Sequence, residues 1–188
     1  MFIYQFDYLH LVSDDFVADY LLSLPSERRE RCERYRNQSD KKACIMAYLL
    51  LEAGLKERCG ITSFSFVYNK YGKPYLKDQN IYFNISHCRN SVVCVIADFE
   101  VGVDIEYIRD FDINLARRIC TENEIQQLTE SENPAKLFCR FWTEKESCAK
   151  SLGISVAGIF KTELTAVKFI TWEREDYCLT ICSRNENK

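Results

Sequence analysis

The 188-residue chain has no long hydrophobic run, no closely paired cysteine motif and no glycine-rich phosphate loop. No apolar stretch approaches the ~20 residues of a membrane helix, so no membrane association is expected. There are ten cysteines but no CxxC pair, which argues against a zinc ribbon or a thioredoxin-like site. GxxxxGK[ST] and GxGxxG are both absent, disfavouring P-loop and dinucleotide-binding folds. The opening MFIYQFDYLH lacks the basic end, apolar centre and cleavage site of a signal peptide. A cytoplasmic protein is therefore expected, with its ten cysteines as buried, reduced thiols. A basic excess is missing too: 25 Lys and Arg stand against 28 Asp and Glu, for a net charge of −3. Nothing in that balance points to nucleic acid, and any anion site must be local.

What is present suffices for a core. Hydrophobic residues make up 47% and aromatics 13% of a chain of ordinary single-domain length. Hydrophobic spacing predicts a strand at FIYQFDYL, a helix from Asp14 to Leu24, and a highly charged segment opened by Pro25. Ser39 is expected to cap a wide-faced helix, DKKACIMAYLLLEAGLKERCG, that stops at Gly60. Strands follow at TSFSFVYN, IYFNISH, SVVCVIADF and VGVDIEYI, with KYGKPYL as a turn. SVVCVIADF has few polar residues and reads as buried on both faces. Helices are predicted over 112–119 and from about Thr121, then from the Asn133-Pro134 opening to Gly153. The tail reads as two strands joined by a charged turn. A long helix followed by strands occurs twice. That pattern predicts an α+β fold of two similar halves, about 1–103 and 104–188, each a helix on a small, mostly antiparallel sheet. The halves would form one catalytic unit with the site between them.

Five stretches carry polar groups worth weighing. In VGVDIE, Asp104 and Glu106 share one strand face behind Gly102. Two adjacent carboxylates repel unless something positive joins them, so they mark either a solvated edge or a site for a hard divalent cation. In WTEKESCAK, Glu146 and Lys150 share a helix face, as a surface ion pair or as charged groups at a phosphate centre. Thr143 and Glu146 also match a capping box, although in the middle of a helical pattern. FNISHC places Asn84, Ser86 and His87 at a strand end, where the histidine is either structural or joins the hydroxyl in binding a phosphate. Arg28 and Arg31 lie on one face of a charged helix, either solvated or set to grip a phosphate. Lys73, in the GKP turn at 72–74, offers one cation on a stiff backbone.

GKP, FNISHC, VGVDIE and FWTEKESCAK in this order resemble the 4′-phosphopantetheinyl transferases, and most of all the Sfp-type branch with two similar halves in one chain. The resemblance spans about residues 25–160. It implies transfer of the phosphopantetheine arm of coenzyme A to a serine of an apo acyl or peptidyl carrier protein, releasing adenosine 3′,5′-bisphosphate. Magnesium, or manganese, would be held by Asp104, Glu106 and Glu146. Glu146 would take the serine proton, directly or through water, and Lys150 would contact the attacked phosphate. Lys73 and Pro74 would border the adenine. Ser86 and His87, with Arg28 and Arg31, would meet the 3′-phosphate. The family's arginine near the start of the long first helix is Ala43 here, and Lys42 is the candidate to replace it. Glu124 falls where the family often has a functional acid, but Thr121-x-x-Glu124 is also a capping box. Two halves in one chain imply a monomer. A nucleotide phosphohydrolase and a non-catalytic nucleotide-binding module are the competing readings.

Overall fold

Strand, helix, hairpin: this order occurs twice in the computed structural model, which describes residues 1–184. The first half contributes β1 (Phe2–Phe6), α1 (Asp14–Ser23), α2 (Ser26–Glu33), α3 (Gln38–Cys59), β2 (Phe66–Tyr68), β3 (Pro74–Leu76), β4 (Tyr82–Cys88) and β5 (Ser91–Ala97). The second contributes β6 (Val101–Tyr107), α4 (Ile113–Ile119), α5 (Glu122–Glu130), α6 (Pro134–Leu152), β7 (Val167–Glu173) and β8 (Tyr177–Arg184). The larger sheets run β1-β5-β4 and β6-β8-β7, antiparallel throughout. In each, the half's first strand pairs with its last, and the strand before that last one lies on the far side. The α+β class and the pseudo-repeat are thus both present. The division expected at 103/104 falls inside β6, whose seven residues all pair with β8.

Local chemistry explains most boundaries. Gly60 and Gly153 close α3 and α6 in the left-handed conformation (φ 68° and 65°), which a side chain would disfavour. Asn133 caps α6 by accepting from the Lys136 N–H, with Pro134 at the first turn. The α3 cap is Asn37 rather than Ser39, whose backbone N–H donates to Asn37 Oδ1. An Asn two residues upstream reaches the same orphan donors. KYGKPYL is only partly a turn: Pro74–Leu76 forms β3, paired with a β2 much shorter than TSFSFVYN. All seven residues of β5 are buried, as its composition predicts.

The long helices lie on their sheets, and the sheets meet where β4 runs beside β6. That junction is stitched by side chains. Asn84 Oδ1 accepts from the Val103 N–H at 2.8 Å, and Ser86 Oγ from the Ile105 N–H at 3.4 Å. Val93, Val95, Val103, Ile105, Leu179 and Ile181 fill the apolar layer between the halves. Gly102 makes the second half possible in this form. A methyl group there would collide with the Ser147 carbonyl and the Ser151 N–H of α6, so β6 packs directly on helix backbone.

One cysteine expectation is corrected. Cys32 of α2 and Cys44 of α3 form a disulfide, and the other eight cysteines are free, seven of them buried. Their Cα atoms are 6.1 Å apart, inside the bridging range. A separation of 12 residues across a helix–helix turn carries no motif that would reveal the pair.

Candidate active site

A cleft of about 360 Å³ lies between the halves, walled by α2, α3, β4, β6 and α6. Nine of the eleven residues that the resemblance assigns to nucleotide, metal or catalysis line it: Arg28, Arg31, Pro74, Ser86, His87, Asp104, Glu106, Glu146 and Lys150. Strand alternation aims Asp104 and Glu106 from β6 to one side, while Glu146 and Lys150, four residues apart, come from one face of α6.

Lys42 and Lys73 are placed elsewhere. Lys42 Nζ is 3.0 Å from Asp14 Oδ1, tying α3 to α1 rather than lining the cleft. Lys73 is buried. Its ammonium pairs with Glu100 at 2.7 Å and donates to the carbonyls of Ser151 (3.0 Å) and Val101 (3.4 Å), locking the GKP turn to the start of β6 and the end of α6.

The centre of the cleft is a three-member polar knot. Lys150 Nζ donates to Asp104 Oδ1 at 2.6 Å and to Ser86 Oγ at 3.1 Å, and Ser86 Oγ in turn donates to Asp104 Oδ1 at 2.8 Å. Asp104 is only 2% exposed, and its other oxygen, Oδ2, is buried without a partner. The surface-pair reading of Glu146 with Lys150 therefore fails: Lys150 is committed to Asp104, and Glu146 has no ion-pair partner among the described residues. Burial first, and then the charges of Asp104 and Glu106, raise the pKa of Glu146 against the opposing pull of Lys150. Burial and Asp104 raise that of Glu106 likewise. Glu106 accepts from Trp142 Nε1 at 3.3 Å and lies 3.7 Å from Arg109. His87 is exposed at the cleft, with part of its ring turned toward the wall. That partial burial, opposed by Asp40 and aided by Lys150, lowers its pKa.

The donor set suits a hard cation. Three carboxylates line the cleft, and an orphaned buried oxygen on one of them is the kind of group a metal satisfies. The carboxylates do not converge here into a three-acid ligand cluster among the described residues. Lys150 neutralises Asp104 instead.

α6 is one uninterrupted helix, so Thr143 does not cap anything. Its hydroxyl donates to the Arg140 carbonyl and bonds Thr180 of β8 at 2.8 Å. Glu124 closes a capping box with Thr121, and its other oxygen lies 3.0 Å from Lys145 Nζ. The contact is close but off-axis, an ion pair without an aligned hydrogen bond. Lys145, on the residue before Glu146, is fully buried. Sequence reasoning missed it. The signal was its place between Phe141 and Cys148 on the apolar stripe of α6. Also missed were Tyr48 and Phe66, whose ring centroids lie 5.4 and 5.3 Å from the Arg28 guanidinium.

A family model described as the 4′-phosphopantetheinyl transferase superfamily matches residues 100–187, and one for the 4′-phosphopantetheinyl transferase N-terminal region matches 13–99. The chain is 34% identical over 145 residues to the 4′-phosphopantetheinyl transferase gsp of Aneurinibacillus migulanus, covering 74% of this chain and 61% of that protein. It is 25% identical over 139 residues to the 4′-phosphopantetheinyl transferase Sfp of Bacillus subtilis, covering 71% and 62%. A putative 4′-phosphopantetheinyl transferase of Haemophilus influenzae is 26% identical over 181 residues, covering 90% and 72%. The chain spans about three fifths of the length of the first two relatives. None of its helices, among the described residues, is long and apolar enough to cross a membrane.

Proposed function

Because the chain belongs to the 4′-phosphopantetheinyl transferase superfamily, we propose that it transfers the 4′-phosphopantetheine arm of coenzyme A to a serine of an apo acyl or peptidyl carrier protein. The observation that carries this reading is the gathering of cations, acids and a serine–histidine pair from both halves around one cleft. Phosphoryl-type transfer is chiefly positioning and charge neutralisation, and these residue types supply both.

In this reading Arg28, Arg31, Ser86 and His87 receive the 3′-phosphate, and Pro74 borders the adenine. The serine oxygen forms a bond to the pantetheine-bearing phosphorus. The bond from that phosphorus to the bridging oxygen breaks, and adenosine 3′,5′-bisphosphate leaves with the electron pair. Glu146 accepts the serine proton, directly or through one water. Its pKa, raised chiefly by burial, makes it a better base than an exposed glutamate. Lys150 stands beside Asp104 to contact the attacked phosphate. Asp104, Glu106 and Glu146 would hold magnesium or manganese, which when bound supplies charge neutralisation at the pyrophosphate. Both halves are in one chain, so a monomer completes the site.

The test is product release. Coenzyme A and magnesium are incubated with the protein, with and without apo carrier, and adenosine 3′,5′-bisphosphate is followed by chromatography. Release that needs the carrier supports transfer. Release without it makes the protein a phosphohydrolase, and coenzyme A binding with neither makes it a binding module.

A further inference from the structure

Helix α2 brings Arg28 and Arg31 to the cleft, yet little holds it there. Of its eight residues only Arg28 and Cys32 are buried. Pro25 at its start provides no side-chain cap, and an eight-residue helix does not stand alone in water. The two buried residues are four apart, so they share one face, and both meet α3. Cys32 does so through its disulfide to Cys44, and Arg28 through the ring of Tyr48. Arg28 is 8% exposed, its Nε has no hydrogen-bond partner, and no acidic side chain pairs with it among the described residues. Burial, and then Arg31, lower its pKa. A buried cation without a counter-charge favours lifting the helix into water. The covalent link one turn further on opposes this, and Cys44 itself lines the cleft wall.

We propose that the Cys32–Cys44 disulfide is a positioning element of the anion site, presetting Arg28 and Arg31 for a nucleotide phosphate monoester, so that affinity for coenzyme A depends on the redox state of this pair. The inference rests on the reading that Arg28 and Arg31 meet the 3′-phosphate. A dithiol reductant opens the link by exchange. Its thiolate attacks one cysteine sulfur and expels the other. Its second thiol then closes a cyclic disulfide, leaving Cys32 and Cys44 as two thiols. Two electrons and two protons pass from reagent to protein. The other eight cysteines are already thiols, so the reductant changes this bond alone.

Coenzyme A and 3′-dephospho-coenzyme A are each titrated calorimetrically into oxidised protein, dithiothreitol-reduced protein, the Cys32→Ser/Cys44→Ser variant and Arg28→Gln. Intact mass verifies the thiol count, and circular dichroism the fold. Reduction is expected to weaken coenzyme A binding about tenfold. It should leave the 3′-dephospho form within about twofold, and the double-serine variant should be weakened alike and insensitive to reductant. Equal coenzyme A affinity before and after reduction, with Arg28→Gln still selectively weakened, overturns the coupling and leaves the site reading intact. Arg28→Gln weakening both ligands equally overturns the site reading itself. Air-oxidised protein carrying ten thiols by mass also overturns the coupling.

Discussion

Lys150 Nζ lies 2.6 Å from Asp104 Oδ1, and the two side chains differ sharply in exposure, at 29% and 4%. Removing either partner therefore has a different consequence. Asp104→Ala frees a lysine that can turn to water. Lys150→Ala strands a buried carboxylate, which costs about 3–5 kcal/mol when a buried pair is broken from one side. Both variants are expected to lose transfer by about 10²-fold or more. Urea titration should find Lys150→Ala clearly the less stable of the two. Equal stability would show that Asp104 is better solvated than its burial implies.

Glu146 presents the opposite case, a carboxylate that the fold tolerates rather than uses. Its pKa is raised in the folded protein, chiefly by burial. A raised carboxyl pKa contributes stability below the unfolded value, near 4.5, and that contribution is lost as pH rises through the folded value. Above the folded value the ionised group is thus a net cost. Glu146→Gln is expected to abolish transfer yet raise the melting temperature by roughly 2–4 °C. Transfer by the unsubstituted protein should fall on acidification, at a pH above that for an ordinary glutamate. Calorimetric scans at pH 7 check the first claim, and a lower melting temperature for Glu146→Gln would contradict it.

Much of this was legible beforehand, for physical reasons that differ by residue. Gly60, Asn133-Pro134 and Gly153 mark helix ends because their conformational preferences are local. The period-2 spacing of Asp104 and Glu106 made their shared face readable in the same way. Lys73, Lys42 and the Cys32–Cys44 link were not legible. Their partners, Glu100, Asp14 and each other, are chosen by tertiary packing, which leaves no spacing signature. Lys145 lay between. Its position on the apolar stripe was visible, but Glu124 as its partner was hidden behind a capping-box role that is also real.

That double role makes Glu124 a sensitive position. Glu124→Ala removes the counter-charge of a fully buried lysine and half of a capping box. The expected loss is about 3–5 kcal/mol for the pair, with about 1 kcal/mol more for the cap. Glu124→Gln keeps the cap and should recover only the smaller part. Chemical denaturation of both variants measures the split, and a mild Glu124→Ala would mean that Lys145 finds another partner.

Gly102→Ala tests the packing that carries the strand proposed to hold a metal. The added methyl meets helix backbone rather than a movable side chain. A destabilisation of about 1–3 kcal/mol or more is expected, with β6 displaced from α6. Wild-type stability in a denaturant titration would show that the strand and helix have room to separate.

The central claim is that the cleft transfers a phosphopantetheine arm to protein. Intact-mass spectrometry of a panel of apo acyl and peptidyl carriers, incubated with the protein, coenzyme A and magnesium, tests it directly. The expected result is a mass gain of one phosphopantetheine on at least one carrier, absent with folded Asp104→Ala and absent in chelator. No mass gain on any carrier would contradict the claim, and so would an undiminished gain with Asp104→Ala.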